Sequence, residues 1–200
     1  YADQTHLPNL KSHAGAQIAA ICGRNRARAQ EMADKYAIPL VYTDYRQMLA
    51  QADLDAVVIA VTDDLHYPMT MDALSAGLHV LCEKPLALNA QQARAMTEKA
   101  QAMGVKHMTF FAWRFEIYHR YLHQLVGEGY VGRPYLCQLR QVGGYGRDGL
   151  YAWRFDTQHG NGILGDLGSH MIDLAHWLVG DITRVSAHLA TSVERTGTDA

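Results

Sequence analysis

Short apolar runs alternate with amphipathic stretches through the first half of the chain. Residues 5–10 read as the end of a helix, and residues 17–22 form an apolar run of strand length. Asn25 stands where a helix cap belongs. Ala29, Met32, Ala33 and Tyr36 then recur at i, i+3, i+4 and i+7, one face of a helix. Val41-Tyr42 is a brief strand, and Asp44 with Gln47 forms a capping-box pattern before a short helix reaching Leu49. Residues 55–61 are almost continuously apolar, as in a parallel strand covered on both faces. The turn Thr62-Asp63-Asp64 leads to a helix predicted over residues 66–76 and closed by Gly77. The next strand begins at His79 and stops at Glu83-Lys84-Pro85, because proline has no N–H to continue a ladder. Asn89 and Gln92 open a further helix with Ala93, Met96, Ala100 and Met103 on one face, and Gly104 ends it. Residues 105–111 supply another strand. This β-α-β-α alternation with short connections predicts an α/β fold built on a doubly wound parallel sheet.

The pattern changes after Phe111. Tyr118, Tyr121, Leu122, Leu125 and Val126 form a helical stripe that stops at Gly127 or Gly129. Residues 135–142 alternate as a strand, followed by the loop Gly143-Gly144-Tyr145-Gly146. A helix is predicted over residues 166–179, ending at Gly180. Residues 182–193 place Val185, Ala187, Leu189, Thr191 and Val193 on one strand face. The expected organisation is a first domain over residues 1–111 and an α+β domain over residues 112–200.

Composition narrows the function classes. The chain has 200 residues, 48% hydrophobic and 19% charged, enough for a sizeable core. A formal net charge of −2 offers no basic footprint for nucleic acid. No apolar run approaches the roughly 18 residues that span a bilayer. The 3 cysteines, Cys22, Cys82 and Cys137, lie far apart without metal spacing. They read as small buried hydrophobes in a reducing, cytoplasmic compartment. No secretory signal is visible.

Four stretches carry candidate chemistry. Lys84 ends a parallel strand, where ligands bind in open α/β sheets, and the neighbouring Glu83 is placed to hold its ammonium. Asp166, His170 and Asp173 follow at i, i+4 and i+7 and are expected on one helical face, opposite a core stripe of Met171, Leu174, Ala175 and Leu178. An imidazole there can take a hydroxyl proton near neutral pH. No further ligand has the spacing of a metal site, so none is expected. Gly23 occupies the position after the second strand of a Rossmann unit, where an acid usually binds the ribose of NAD. With Arg24 next and Arg28 about one turn on, NADP is favoured over NAD. The turn from Thr62 to His66 is expected to border the nicotinamide ribose. Trp113-Arg114, with Trp153-Arg154, can line a polyhydroxylated substrate by stacking and charged hydrogen bonds.

Residues 79–89 (HVLCEKPLALN) resemble the EKP signature of the Gfo/Idh/MocA oxidoreductases. The stretch from Gly162 to Gly180 (GILGDLGSHMIDLAHWLVG) resembles the family's second signature, and residues 41–60 and 105–114 are similar to it as well. The resemblance implies an NAD(P)-binding Rossmann domain followed by an α+β domain with an open, mostly antiparallel sheet that often forms an oligomer interface. A homo-oligomer is therefore expected. It implies hydride transfer between nicotinamide and a sugar, polyol or related hydroxyl or carbonyl substrate. Lys84 matches the EKP lysine, and Asp166 and His170 match the acid and the proton-accepting histidine. Glu83, His66, Thr62 and Asp63 match cofactor-contacting positions, and Trp113 and Arg114 are placed with them. Two alternatives are a relative that cleaves glycosides with transient use of bound NAD, and a non-catalytic NAD(P)-binding protein. The chain departs from the family at Val61-Thr62, where many members have Thr-Pro. The family's first strand and opening glycines align before Tyr1, and its C-terminal sheet continues beyond Ala200. The chain is accordingly expected to be an internal piece of a longer enzyme, with the neighbours of a central strand left exposed.

Overall fold

A computed structural model describes residues 1–195. The chain divides into two compact units, the first formed by Tyr1–Val61, Leu65–Glu83 and Asn89–Met108, the second by Thr62–Asp64, Lys84–Leu88 and the chain from Thr109 onward.

In the first unit a π-helical turn, Ala2–His6, runs into α1 (Leu7–Ser12). Then come β1 (Ala20–Cys22), α2 (Arg26–Tyr36), β2 (Leu40–Tyr42), α3 (Tyr45–Gln51) and β3 (Ala56–Ile59). The series continues with α4 (Asp63–Ser75), β4 (His79–Glu83), α5 (Ala90–Met103) and β5 (His107–Phe110). Asn25, Asp44 and Asn89 cap helices where the sequence predicts, whereas α4 begins at Asp63, inside the expected turn, and not at residue 66. Asn25 accepts from Arg28 N–H and Asn89 from Gln92 N–H, while Asp44 accepts from Arg46 N–H. Gly104, at φ +65°, closes α5 in the left-handed region where a side chain is strained.

The strands pair in parallel. Ala20 is in register with Leu40 and Cys22 with Tyr42, whereas Ala56 pairs with His79 and Ile59 with Cys82. Strand order is β1-β2 in one sheet and β3-β4-β5 in the other, with no ladder joining the two among the described residues. β3 is therefore an edge strand. Val57 and Ile59 are buried, but Val58 is 38% exposed. The continuous apolar run is thus covered on one face, not on both as its composition predicted. One core gathers Leu7, Ala33 and Ile38 with Ile21 and Val41 around the first sheet. Ala73, Leu74, Val80, Cys82, Met96 and Ala100 are the other buried apolar positions of the helices and strands that follow.

The second unit contains a 3-10 turn Ala112–Phe115, α6 (Ile117–Gly127), a 3-10 turn Trp153–Phe155, a π-helical turn Leu164–Gly168 and α7 (Ser169–Val179). The helices α6 and α7 meet where His123 stacks on Trp177 at 4.1 Å between ring centroids. The strands expected over 135–142 and 182–193 are not formed, because no partner ladder pairs with them among the described residues. Their apolar residues stay in solvent, Tyr135 at 88% and Val185 at 79% exposure. The stripe on α6 is likewise largely exposed at Tyr118 and Tyr121. Cys82 is buried as expected, but Cys22 is half-buried and Cys137 exposed, since residue 137 lies on an unpaired segment. No helix among the described residues is long and apolar enough to cross a membrane.

Candidate active site

β4 delivers Glu83 and then Lys84, with Pro85 joined by a cis peptide bond. In the first unit the Glu83 carboxylate lies 2.7 Å from His6 Nε2, and both residues are buried. The Tyr1 ring packs edge-on against His6 at 5.4 Å. Glu83, read in the sequence as the neighbour that holds Lys84, engages His6 across 77 positions of sequence.

In the second unit Lys84 Nζ donates to Asp166 Oδ1 at 2.7 Å and to the Asp166 carbonyl at 2.8 Å. Both side chains are largely buried, at 15% and 14% exposure, which strengthens a charge-assisted contact. Tyr145 Oη donates to Asp166 Oδ2 at 2.8 Å, and Arg154 Nε lies 3.4 Å from the same oxygen. Burial acts to raise the Asp166 pKa, but the hydrogen bond and charge of Lys84, with Tyr145 and Arg154, outweigh it and hold the carboxyl below its usual value. Asp63 behaves in the opposite way. Burial pushes its carboxyl up to about 7 against the pull of Lys84 and Arg154, with repulsion from Asp166 and Asp64 added. Asp64 accepts from His159 at 3.1 Å, tying this turn to the loop before α7.

Gly162 starts the segment that carries Asp166 with φ +60°. A Cβ at Gly165 would lie 2.9 Å from Asn161 Cβ, and one at Gly168 would lie 2.9 Å from Leu164 Cδ1. These glycines permit the wide π turn that separates Asp166 from the regular helix. Asp166 thus lies in the π turn, while His170 and Asp173 lie on α7. His170 is buried on the same side of α7 as Leu174, one turn on. Its ring stacks on Trp113 at 4.4 Å with an interplanar angle of 10°, and meets Phe111 edge-on at 5.9 Å. Asp173 is engaged by a fork from Arg114, Nε to Oδ2 at 2.7 Å and Nη2 to Oδ1 at 2.6 Å. Arg154 covers the Trp153 ring at 4.4 Å.

The second unit thus gathers Asp63, Lys84 and Asp166 in one electrostatic group, with His170, Trp113 and Arg114 elsewhere in the same unit. Thr62 belongs to this unit too. Gly23, Arg24, Arg28, His66 and Glu83 belong to the first unit. His66 is fully buried there. Gly23 N–H donates to the Tyr42 carbonyl at 3.1 Å. Arg24 and Arg28 are exposed beyond the carboxyl end of β1, and neither has an ion-pair partner among the described residues. Two uncompensated guanidiniums at that strand end fit an anionic nucleotide group. A depression of about 690 Å³ lined by Phe111, Ser169, Ile172, Asp173 and His176 does not include Lys84, Asp166 or His170. Among the described residues no three His, Cys, Asp or Glu side chains converge as metal ligands would. His6 and Tyr145 carry no sequence signal of their roles. Tyr145 stands in a loop marked only by its glycines, and His6 is distant from its partner.

Comparison with known proteins places this geometry. Residues 1–111 match an oxidoreductase family with an NAD-binding Rossmann fold, and residues 119–200 match the GFO/IDH/MocA C-terminal domain. The chain is 32% identical over 199 residues to D-glucoside 3-dehydrogenase of Escherichia coli, covering 98% of this chain and 56% of that protein. It is 30% identical to levoglucosan dehydrogenase of Pseudarthrobacter phenanthrenivorans, over 86% of this chain and 45% of that one. A solved levoglucosan dehydrogenase in complex with NADH and levoglucosan superposes with a TM-score of 0.73 at 29% identity, covering 88% of this chain and 49% of that one. The chain spans about half the length of the relatives it matches. Its parallel βα series, its two signature stretches and these matches agree, and the chain belongs to the Gfo/Idh/MocA family of oxidoreductases.

Proposed function

We propose that the protein transfers a hydride between a nicotinamide cofactor and a hydroxyl-bearing carbon of a sugar or polyol. The observation that carries this reading is the buried ammonium of Lys84, fixed at 2.7 and 2.8 Å by Asp166, in a chain similar to D-glucoside and levoglucosan dehydrogenases. When bound, nicotinamide supplies the acceptor or donor of the hydride. Lys84 donates a hydrogen bond to the reacting oxygen and stabilises the negative charge that develops as its proton leaves. His170 takes that proton as general base, its ring plane set by Trp113. Asp166 holds the ammonium and orients the substrate. Arg114 acts at one remove, since its fork onto Asp173 secures α7, which carries His170.

Residues 1–111 bind the nucleotide in this reading, and residues 112–200 serve substrate binding and homo-oligomer formation. The turn Thr62–Asp63, His66, Glu83 and Trp113 border the cofactor. Gly23 leaves no carboxylate to repel a 2′-phosphate, and Arg24 with Arg28 favours NADP(H) over NAD(H). The compartment is the reducing cytoplasm. In the intact protein, Lys84→Ala and His170→Ala should each lower turnover of a polyol at least about 10²-fold while NADPH binding, followed by fluorescence, is retained. Unchanged turnover in both variants would sink the assignment. A net change in nicotinamide absorbance separates this reaction from glycoside cleavage, which restores the cofactor.

A further inference from the structure

Asp63, the first residue of α4, is 5% exposed. Its carboxyl accepts no hydrogen bond from any described residue, and neither oxygen is among the fully enclosed unpaired polar atoms, so the carboxyl keeps a narrow opening to solvent. The charged groups that act on it are Lys84, Arg154, Asp166 and Asp64. Each is already committed elsewhere: Lys84 and Arg154 to Asp166, and Asp64 to His159. Asp63 Oδ2 faces the turn that carries Asp166, 3.8 Å from where a Cβ at Gly165 would stand. A largely buried carboxyl beside a fixed ammonium, with no hydrogen bond from the chain and a narrow opening to solvent, is open to a polar partner from outside the chain. Near neutral pH it holds or releases its proton readily, so it serves a hydroxyl group as donor or acceptor.

We propose that Asp63 determines substrate specificity: its carboxyl hydrogen-bonds a second hydroxyl of the molecule whose reacting oxygen is held by Lys84, selecting substrates with neighbouring hydroxyl groups. This rests on the reading of Lys84 as a substrate-binding group. A site built to bond a hydroxyl rejects the analogue lacking it, because the buried protein group is then left unpaired.

The test uses the intact protein with levoglucosan, methyl β-D-glucoside and myo-inositol as probes, then the singly deoxygenated analogues of whichever binds. Affinity is read by calorimetry and turnover by nicotinamide absorbance. Wild-type protein should bind one deoxy analogue about 10²-fold more weakly than its parent. Asp63→Leu should erase that ratio to within about threefold, and Asp63→Asn, which keeps an amide of the same shape, should retain part of it. The inference is overturned if the ratio is the same in wild type and Asp63→Leu, if every analogue weakens equally, or if no probe binds wild type. Matching thermal melts for Asp63→Asn separate these outcomes from misfolding. Asp63-dependent polyol binding without any absorbance change would refute hydride transfer and uphold the role of Asp63.

Discussion

Asp63 also makes stability depend on pH, with a sign its surroundings dictate. Its carboxyl shifts from an ordinary 3.8 to about 7 because burial outweighs the attraction of Lys84 and Arg154, while Asp166 and Asp64 repel. Above pH 3.8 the unfolded chain releases this proton and the folded chain keeps it until about pH 7. The folded state therefore loses stability across that window and loses no more beyond it. Asp63→Asn removes the linkage. Its melting temperature relative to wild type should climb as pH rises from about 4 to about 7, by calorimetry, and a flat difference would refute this origin. Asp166 acts in the opposite sense: its depressed carboxyl contributes stability above 3.8 that is lost only as pH falls through its lower folded value. The His6–Glu83 pair is the other residue-scale device. His6→Leu leaves a buried carboxylate short of a 2.7 Å partner, and should cost about 1–3 kcal/mol in urea unfolding. Lys84 and Asp166 are legible in the sequence as chemistry-bearing residues. Asp63 is legible as part of a turn that matches a cofactor-contacting position but not as a buried carboxyl, because three of its four charged neighbours, Lys84, Arg154 and Asp166, come from segments up to about a hundred residues away.

At the scale of elements, caps and termini follow from local chemistry. Asn25, Asp44 and Asn89 each satisfy an N–H within three residues, and such a bond needs nothing from the rest of the fold. The segment before α7 is different. Its residues predict a regular helix from 166, yet Leu164–Gly168 forms a π turn that holds Asp166, and the α-helix begins only at Ser169. Glycines at 165 and 168 allow that turn, but close packing against Asn161 and Leu164 selects it. Gly165→Ala places a methyl 2.9 Å from Asn161 Cβ, and Asn161 donates to the Leu88 carbonyl. It should cost about 1–3 kcal/mol and lower turnover at least tenfold, with cofactor affinity unchanged, since Asp166 and Lys84 are displaced together. Wild-type turnover in this variant would show that the turn does not set the site.

For the whole molecule, two units carry different parts of the chemistry. Exposed guanidiniums lie in the first, and the Lys84–Asp166 group lies in the second. If Arg24 binds a 2′-phosphate, Arg24→Ala in the intact protein should weaken NADPH about tenfold and leave NADH within about twofold, by fluorescence titration. Equal weakening of both would assign Arg24 to the shared part of the nucleotide. By itself the sequence determined the βα alternation, the caps, the strand end at Lys84 and the family signatures, because each depends on residues close in the chain. Tertiary structure alone decided that Glu83 pairs with His6, that Asp166 receives Lys84, Tyr145 and Arg154, and that Asp63 is buried among them. Those pairings join positions from 12 to 103 residues apart, and no local period encodes which distant side chain will neutralise a buried charge. The same reason leaves 135–142 and 182–193 unpaired despite clear alternation: a strand pattern predicts a face, but only another strand supplies the ladder.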